Sequence, residues 1–177
     1  MKKCLILMLF ITIGFNAFSQ DAKIKWYTFQ EAIELNKKEP RKIFIDVYTD
    51  WCGWCKKMDA NTFRNHKIIK ILNERFYAVK FNAEQKQDIL FNGKTFKFIA
   101  NGRRGYHELA AALLNNKLSY PSIAYLNEDN QLLTSVPGYQ TPESLEPILM
   151  FLSEDAFKTE TFQSYKKKFD KKETKQN

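Results

Sequence analysis

The sequence predicts a mixed α/β fold in which a central sheet is flanked by helices. Lys42–Tyr48 is a short run with apolar residues on both faces, which is typical of a strand in the middle of a parallel sheet. Helical patterns precede and follow this run, and Phe76–Phe81 then supplies a second apolar strand. Because the chain has 177 residues and 44% of them are hydrophobic, it can bury one substantial core. We therefore expect one principal α/β domain, over residues 20–155.

Residues 1–19 have the pattern of a signal peptide. Two lysines follow the first residue, Cys4–Phe18 is almost entirely apolar, and Ala17–Ser19 resembles a small-x-small cleavage site. We expect cleavage before Gln20 and export to the periplasm or the cell exterior, where disulfides persist. The apolar run is short for a transmembrane helix, which needs about 20 residues, so we expect no stable membrane insertion after cleavage. A retained N-terminal anchor is the alternative.

The first half of the domain is predicted to be a helix followed by a strand–helix–strand unit. Thr28-Phe29-Gln30-Glu31 is a capping-box pattern, so a helix is expected to begin there and to end before Pro40. The predicted elements that follow are a strand over Lys42–Tyr48, a helix over Cys52–Asn61, its continuation or a second helix over Asn65–Arg75, and a strand over Phe76–Phe81.

The second half is predicted to contain an antiparallel hairpin and a closing helix. Pro121–Leu126 and Gln131–Val136 are apolar runs joined by a polar turn, and Thr141-Pro142 begins a helix that is expected to reach Leu152. Residues 83–119, before this hairpin, are less regular. The features expected there are turns at Asn92-Gly93 and at 101–105, a short strand over Phe96–Ile99 and a short helix over Tyr106–Leu114.

Residues 156–177 form a basic tail. Phe162, Tyr165 and Phe169 recur at helical spacing, so we expect a final helix that docks on the protein's own surface rather than on a partner. The net charge of the chain is +8, and lysines concentrate in this tail. A solvated charged face explains them better than a nucleic-acid site, because no nucleic-acid-binding motif accompanies them.

Trp51-Cys52-Gly53-Trp54-Cys55 places two cysteines at the predicted junction of a strand and a helix. The thiolate is the reactive form of cysteine, and the free N–H groups and dipole of a helix N-terminus stabilise it. Cys52 is predicted to occupy that position and to act as the nucleophile that attacks disulfides. Cys55 lies one turn further on the same face and is expected to resolve the mixed disulfide. A structural role is less favoured, since a disulfide that closes so short a loop stabilises a fold weakly.

Asp46 is a carboxylate inside the apolar strand, six residues before Cys52. Burial raises the pKa of a carboxyl group, which suits Asp46 for proton exchange with Cys55, directly or through water. A strand-end carboxylate that reaches solvent is the alternative. Lys80, in the neighbouring strand, is expected either to pair with Asp46 or to extend its amine past apolar surface into solvent.

Metal binding is the main alternative use of the two cysteines. A closed zinc site needs four ligands, and only one cysteine pair is left after removal of the signal peptide. His66 and His107 are the two histidines of the chain, and surface or helix-capping roles are expected for both. We therefore expect no metal site and no organic cofactor, with carriage of a soft metal such as copper as the alternative.

These residues resemble the thioredoxin-like superfamily over Lys23–Leu152. The resemblance rests on Asp46, the Trp51–Lys56 motif, Lys80 and Tyr120-Pro121. It implies a thioredoxin-like fold in which Pro121 follows a cis peptide bond beside the cysteine pair and Tyr120 presents its backbone to the substrate. Trp51, Gly53 and Trp54 would then support the reactive pair, and residues 83–119 would be an insertion before the strand that follows the cis-proline.

Within that superfamily, Asp46–Cys52 and Met58–Phe63 are similar to exported proteins allied to the C-terminal domain of the periplasmic thiol reductant DsbD. This resemblance implies a thiol–disulfide oxidoreductase that reduces protein disulfides and receives electrons from an upstream thiol protein. Trp54 replaces the proline of ordinary thioredoxins, so a disulfide oxidase or isomerase is the alternative enzyme. A non-enzymatic module that binds copper or a client protein is the alternative outside enzymes.

Overall fold

The structure is a computed structural model that describes residues 23–176, and the predicted signal peptide, residues 1–19, lies outside the described residues. In chain order, the elements are β1 (Trp26–Tyr27), α1 (Phe29–Lys38), β2 (Lys42–Tyr48), α2 (Gly53–Ala60), α3 (His66–Arg75), β3 (Phe76–Asn82), β4 (Ile89–Phe91), β5 (Lys94–Phe96), β6 (Phe98–Asn101), β7 (Arg104–His107), α4 (Glu108–Leu113), β8 (Ser122–Leu126), β9 (Leu132–Pro137), α5 (Pro142–Ser153) and α6 (Phe162–Gln176).

A five-stranded mixed sheet forms the centre of the domain, in the order β1-β3-β2-β8-β9. β1 and β2 lie parallel to β3, whereas β8 is antiparallel to both β2 and β9. β2 is the middle strand, and every residue except its last is buried. The mixed α/β class, the strand Lys42–Tyr48 and the late antiparallel hairpin are therefore confirmed.

The two faces of the sheet carry separate cores. Because side chains alternate along a strand, Ile43, Ile45 and Val47 of β2 face one side, where α1 and α4 cover them. Phe44 faces the other side, where α2, α3 and α5 pack. Asp46 has the same parity as Phe44, so this carboxylate lies on the side of the sheet that carries the cysteine helix α2.

Side-chain caps mark the first residues of the predicted helices. Thr28 accepts a hydrogen bond from the backbone of Glu31, whose carboxylate in turn accepts from the backbone N–H of Thr28, so the capping box is confirmed. Thr141 caps α5 in the predicted place. Between α2 and α3 a 3₁₀ turn intervenes, and Asn65 caps α3. The alternative of a second, separate helix is therefore the correct one.

The segment 83–119 contains two small antiparallel hairpins, β4–β5 and β6–β7, followed by α4. The Asn92-Gly93 turn is confirmed, with both residues at positive φ. The predicted strand Phe96–Ile99 is wrong: the chain breaks at Lys97, because Phe96 pairs with Ile89 while Phe98 pairs with His107.

The predicted helix Tyr106–Leu114 is also wrong at its start. Tyr106 pairs with Ile99 in the β6–β7 hairpin, and α4 begins only at Glu108. The side chain of His107 accepts a hydrogen bond from the backbone N–H of Leu109 and so caps the helix. Strand pairing with β6 therefore extends through His107, and the sequence around Tyr106 and His107 does not itself indicate this pairing.

The last helix, α6, docks through the predicted aromatic residues. The rings of Phe162 and Tyr165 lie 5.4 and 5.3 Å from that of Phe151 in α5, and Phe169 stacks on Tyr165. The prediction that this stripe packs on the protein's own surface is confirmed. Among the helices of residues 23–176, none combines the length and the apolar character required to cross a bilayer.

Candidate active site

The cysteine pair lies where the middle strand of the sheet leads into α2. Cys52 is the N-cap of α2, and its sulfur accepts a hydrogen bond from the backbone N–H of Cys55 at 3.1 Å. The two residues form a disulfide, with their Cα atoms 5.3 Å apart. Cys52 is 5% exposed and Cys55 2%. Both cysteines are therefore largely buried, Cys52 slightly less so, and the Cys52 sulfur has the hydrogen-bond donor that a thiolate needs.

The cysteine motif contains two exposed tryptophans, one before Cys52 and one between the cysteines. Trp51 is 51% exposed and Trp54 57%, although large aromatic side chains usually bury most of their surface. Trp51 packs edge-on against Tyr120, with ring centroids 6.1 Å apart. Trp54 packs against Tyr139 at 5.6 Å. The cysteine motif therefore carries two aromatic pairs that offer apolar surface to a partner.

Asp46 is completely buried beneath α2 and forms an ion pair with Lys80. The register of β2 and β3 places the two residues opposite each other, and Lys80 Nζ lies 2.6 Å from Asp46 Oδ2. Lys80 also contacts the carboxylate of Asp59, which is exposed on α2. Since Asp59 lies one helical turn after Cys55, this bridge ties Asp46 to the part of α2 that carries the second cysteine.

Burial raises the pKa of Asp46 to about 6, and the positive charge and hydrogen bond of Lys80 moderate this effect. For Lys80, burial alone would lower the pKa, but the two carboxylates that it contacts raise it above its usual value. At neutral pH the lysine therefore carries its charge, while Asp46 titrates close to the physiological range. Within residues 23–176, the second oxygen of Asp46, Oδ1, is buried without a hydrogen-bond partner.

The predicted groove residues lie at the same edge of the sheet. Ser122, the first residue of β8, pairs with Val47, so the preceding Tyr120-Pro121 meets the end of β2 from which the cysteine loop departs. The Tyr120–Pro121 peptide bond is cis, as the resemblance implies. The carbonyl of Pro121 accepts a hydrogen bond from Gly138 at 2.8 Å. The structure therefore brings the cis-proline segment, Trp51 and the cysteine loop together.

The histidines take the ordinary roles that the sequence predicts. His107 is completely buried, and its Nε2 lies 3.0 Å from the carbonyl of Gln87 while Nδ1 accepts from Leu109. Burial lowers its pKa, so the imidazole is neutral and serves as the cap of α4. His66 is exposed at the start of α3. In the described part of the chain, no three His, Cys, Asp or Glu residues come together as metal ligands.

The chain matches a known protein family over most of its length. A family model named Thioredox_DsbH, described as "Protein of unknown function, DUF255", matches residues 15–141 and so covers most of the chain. The chain belongs to the Thioredox_DsbH family. The matched region includes the cysteine pair, Asp46, Lys80 and the cis-proline.

Individual relatives of this Thioredox_DsbH chain share part of its length. Spermatogenesis-associated protein 20 of Mus musculus is 37% identical over 67 residues, which are 37% of this chain and 8% of that protein. An uncharacterized protein of Caenorhabditis elegans is 33% identical over 84 residues, or 47% of this chain and 12% of that protein. The chain therefore matches only a small part of these curated relatives.

Among solved structures, a thioredoxin-fold protein from Helicobacter pylori is similar, with a TM-score of 0.59 and 14% sequence identity. The match covers 90% of this chain and 93% of that one. At this identity the likeness concerns the fold alone. The Thioredox_DsbH chain has a thioredoxin-like α/β fold, with a mixed central sheet flanked by helices.

Sequence reasoning missed several residues around the cysteine pair. Asp59 becomes significant because Lys80 bridges it to Asp46, and its spacing of one turn from Cys55 was the available signal. Arg104 stacks over the ring of Trp51, with 4.3 Å between the guanidinium carbon and the ring centroid. Tyr139 completes the pair with Trp54. Nothing in the local sequence of Arg104 or Tyr139 points to the site, because strand pairing alone brings them there.

Proposed function

We propose that this chain is an exported thiol–disulfide oxidoreductase that reduces protein disulfides through the Cys52/Cys55 couple. The observation that carries the proposal is the position of Cys52. Its sulfur is bonded to that of Cys55 and accepts a hydrogen bond from a backbone N–H at the start of α2, and the same motif carries two exposed tryptophans. A disulfide that closes so short a loop stabilises a fold weakly, so a role in thiol–disulfide exchange is favoured over a structural role.

In the proposed reaction, the reduced protein donates two electrons to a client disulfide. The Cys52 thiolate attacks one client sulfur, a mixed disulfide forms, and the other client sulfur leaves as a thiolate that takes up a proton. The Cys55 thiolate then attacks Cys52, which forms the Cys52–Cys55 disulfide and releases the second client thiolate. An upstream dithiol protein restores the reduced state by the reverse exchange.

Asp46 is proposed to accept the proton of Cys55 in the second step. Cys55 is buried within α2, Asp46 is buried on the face of the sheet that α2 covers, and Lys80 joins Asp46 to Asp59 of the same helix. With a pKa of about 6, Asp46 is mostly ionised at neutral pH and basic enough to take a proton, directly or through water. Asp46 and Lys80 therefore work as one unit, in which the lysine keeps the buried carboxylate available as a base.

Substitution of the two cysteines tests the proposal. The wild-type chain should catalyse the reduction of insulin disulfides by dithiothreitol, and Cys52→Ser should lower the rate to that of dithiothreitol alone, because the attacking sulfur is gone. Cys4→Ser is the matched control and should retain the wild-type rate, since Cys4 lies in the predicted signal peptide. Catalysis by Cys52→Ser at the wild-type rate would disprove the role of Cys52.

Cys55→Ser should instead accumulate mixed disulfides between Cys52 and client proteins, because the resolving thiol is absent. These adducts should be recovered from the periplasmic or culture fraction after acid quenching, and mass spectrometry should find Gln20 at the N-terminus of the trapped chain. Recovery of the adducts only from the cytosolic fraction, with residues 1–19 intact, would contradict export. Absence of adducts from every fraction would contradict exchange with proteins.

A further inference from the structure

The β6–β7 hairpin is anchored beside the cysteine loop. The backbone N–H of His107, at the end of β7, donates to the carbonyl of Ala83 at 2.6 Å, directly after β3 ends. The buried ring of His107 packs against Phe81 of β3 at 5.6 Å. The insertion therefore extends from the same edge of the sheet at which Cys52 and the cis-proline lie.

This hairpin forms one wall of a pocket next to the redox pair. The pocket has a volume of about 270 Å³, and its lining includes Trp51, Tyr120, Leu118, Tyr106, Glu84 and Arg104. Trp51 immediately precedes Cys52, and Tyr120 precedes the cis-proline. A client segment that reaches the Cys52 sulfur through the cis-proline groove would thus place a neighbouring side chain in this pocket.

The guanidinium of Arg104 lies at this pocket. The group lies 4.3 Å from the centroid of Trp51, so the indole supports one planar face. Among residues 23–176, its side chain takes part in none of the salt bridges or hydrogen bonds of the structure. An arginine stacked in this way keeps its N–H groups directed outward at the edge of the plane, where they match the two oxygens of a carboxylate.

The charges around the pair favour an acidic partner. Glu84 also lines the pocket and opposes a client carboxylate there, although a hydrogen bond from Trp51 Nε1 at 3.0 Å holds its own carboxylate against the indole. Lys57 lies over the ring of Trp54, the tryptophan between the two cysteines, at 4.7 Å. Each of the two exposed tryptophans of the cysteine motif therefore carries a cation, and attraction between opposite charges raises the association rate of acidic segments.

We propose that Arg104, held against Trp51 by the β6–β7 hairpin, is a specificity-determining residue that binds a carboxylate of the client next to its disulfide. The preferred substrates are then protein disulfides with Asp or Glu beside the cysteine. This inference rests on the proposed thiol–disulfide exchange and adds the chemical class of the client to it.

The test measures single-turnover oxidation of the reduced full chain by two peptide disulfides that differ only in Glu or Gln beside the cysteine. Each rate constant is divided by that of dithiothreitol with the same peptide, which removes the intrinsic effect of Glu on the disulfide. The wild-type chain should react about fivefold faster with the Glu peptide at low salt, and the preference should shrink with added salt. Arg104→Gln should bring the ratio close to 1, and Arg104→Lys should restore part of it.

Arg103→Gln is the matched control, because it removes the same charge from the turn of the same hairpin without lining the pocket. It should retain the wild-type preference. A wild-type ratio close to 1, or an equal loss in Arg103→Gln and Arg104→Gln, would overturn the role of Arg104. Neutral hydroxyethyl disulfide separates the role of Arg104 from the proposed function. If the wild-type chain reduced neither this disulfide nor the two peptides, the proposed thiol–disulfide exchange itself would be overturned.

Discussion

The carboxyl group of Asp46 is fully buried, and its single described hydrogen-bond partner is Lys80. Burial costs the ionised form more than the neutral form, and for this reason the pKa of Asp46 rises from 3.8 to about 6 despite the lysine. The folded protein therefore binds a proton at Asp46 more tightly than the unfolded chain does. Proton binding links this residue to stability as well as to the proposed exchange reaction.

Asp46→Asn should remove a specific part of the pH dependence of stability. Because the folded pKa is raised, the contribution of Asp46 is fully present below about pH 4 and is lost as the pH rises through about 6. The free energy of unfolding of the wild type, minus that of Asp46→Asn, should thus fall by about 2 kcal/mol between pH 4 and pH 7. Urea unfolding of the oxidised proteins at a series of pH values measures this difference.

Asp59→Asn is the matched control for this experiment, because it changes the exposed carboxylate that contacts the same lysine. Its stability should follow that of the wild type far more closely across the same pH range. Parallel stability curves for the wild type and Asp46→Asn would show that Asp46 titrates alike in the folded and unfolded states, which would contradict the raised pKa of the buried carboxyl group.

At the scale of elements, local signals predicted the parts of the fold that local interactions stabilise. The capping box of α1, the Thr141-Pro142 start of α5 and the continuous apolar run of β2 each depend on residues close in sequence, and all three are confirmed. The β4–β7 segment depends on pairing instead. Phe96–Ile99 has the composition of one strand, yet its residues divide between two hairpins because their partners lie elsewhere in the chain.

Gly105 allows the β6–β7 hairpin to close. A Cβ atom at this position would lie 2.3 Å from the carbonyl oxygen of Ile99 and equally near the ring of Phe98. Contacts this short force a backbone shift. Gly105→Ala should therefore loosen the hairpin and cost about 1–3 kcal/mol. Hydrogen exchange of the Ile99 and Tyr106 amides, together with urea unfolding, measures the effect.

Gly53→Ala is the matched control for stability, since no heavy atom of residues 23–176 lies within 4 Å of the corresponding Cβ position. It should change the free energy of unfolding by less than about 1 kcal/mol. The Gly105→Ala chain should also lose the preference for acidic peptides, because Arg104 is the adjacent residue. Unchanged amide protection and unchanged stability in Gly105→Ala would contradict the close packing of this hairpin.

At the scale of the molecule, the topology brings three separate segments to one edge of the sheet: the cysteine loop after β2, the cis-proline before β8 and the insertion after β3. The sequence predicted the first two, because the cysteine motif and Tyr120-Pro121 carry their own signals. It did not predict the pocket at Arg104. That arrangement depends on pairing between β6 and β7 and on the attachment of His107 to the end of β3.

The reduction potential of the Cys52/Cys55 couple tests the central claim, that this pair passes electrons to protein disulfides. The potential is obtained by equilibrating the full chain with dithiothreitol buffers for the low range and glutathione buffers for the high range, each at defined ratios of reduced to oxidised reagent, and counting alkylated cysteines by mass spectrometry. The proposed reductase role predicts a value close to the thioredoxin range, about −270 mV. A value near −120 mV, typical of a strong disulfide oxidant, would contradict it.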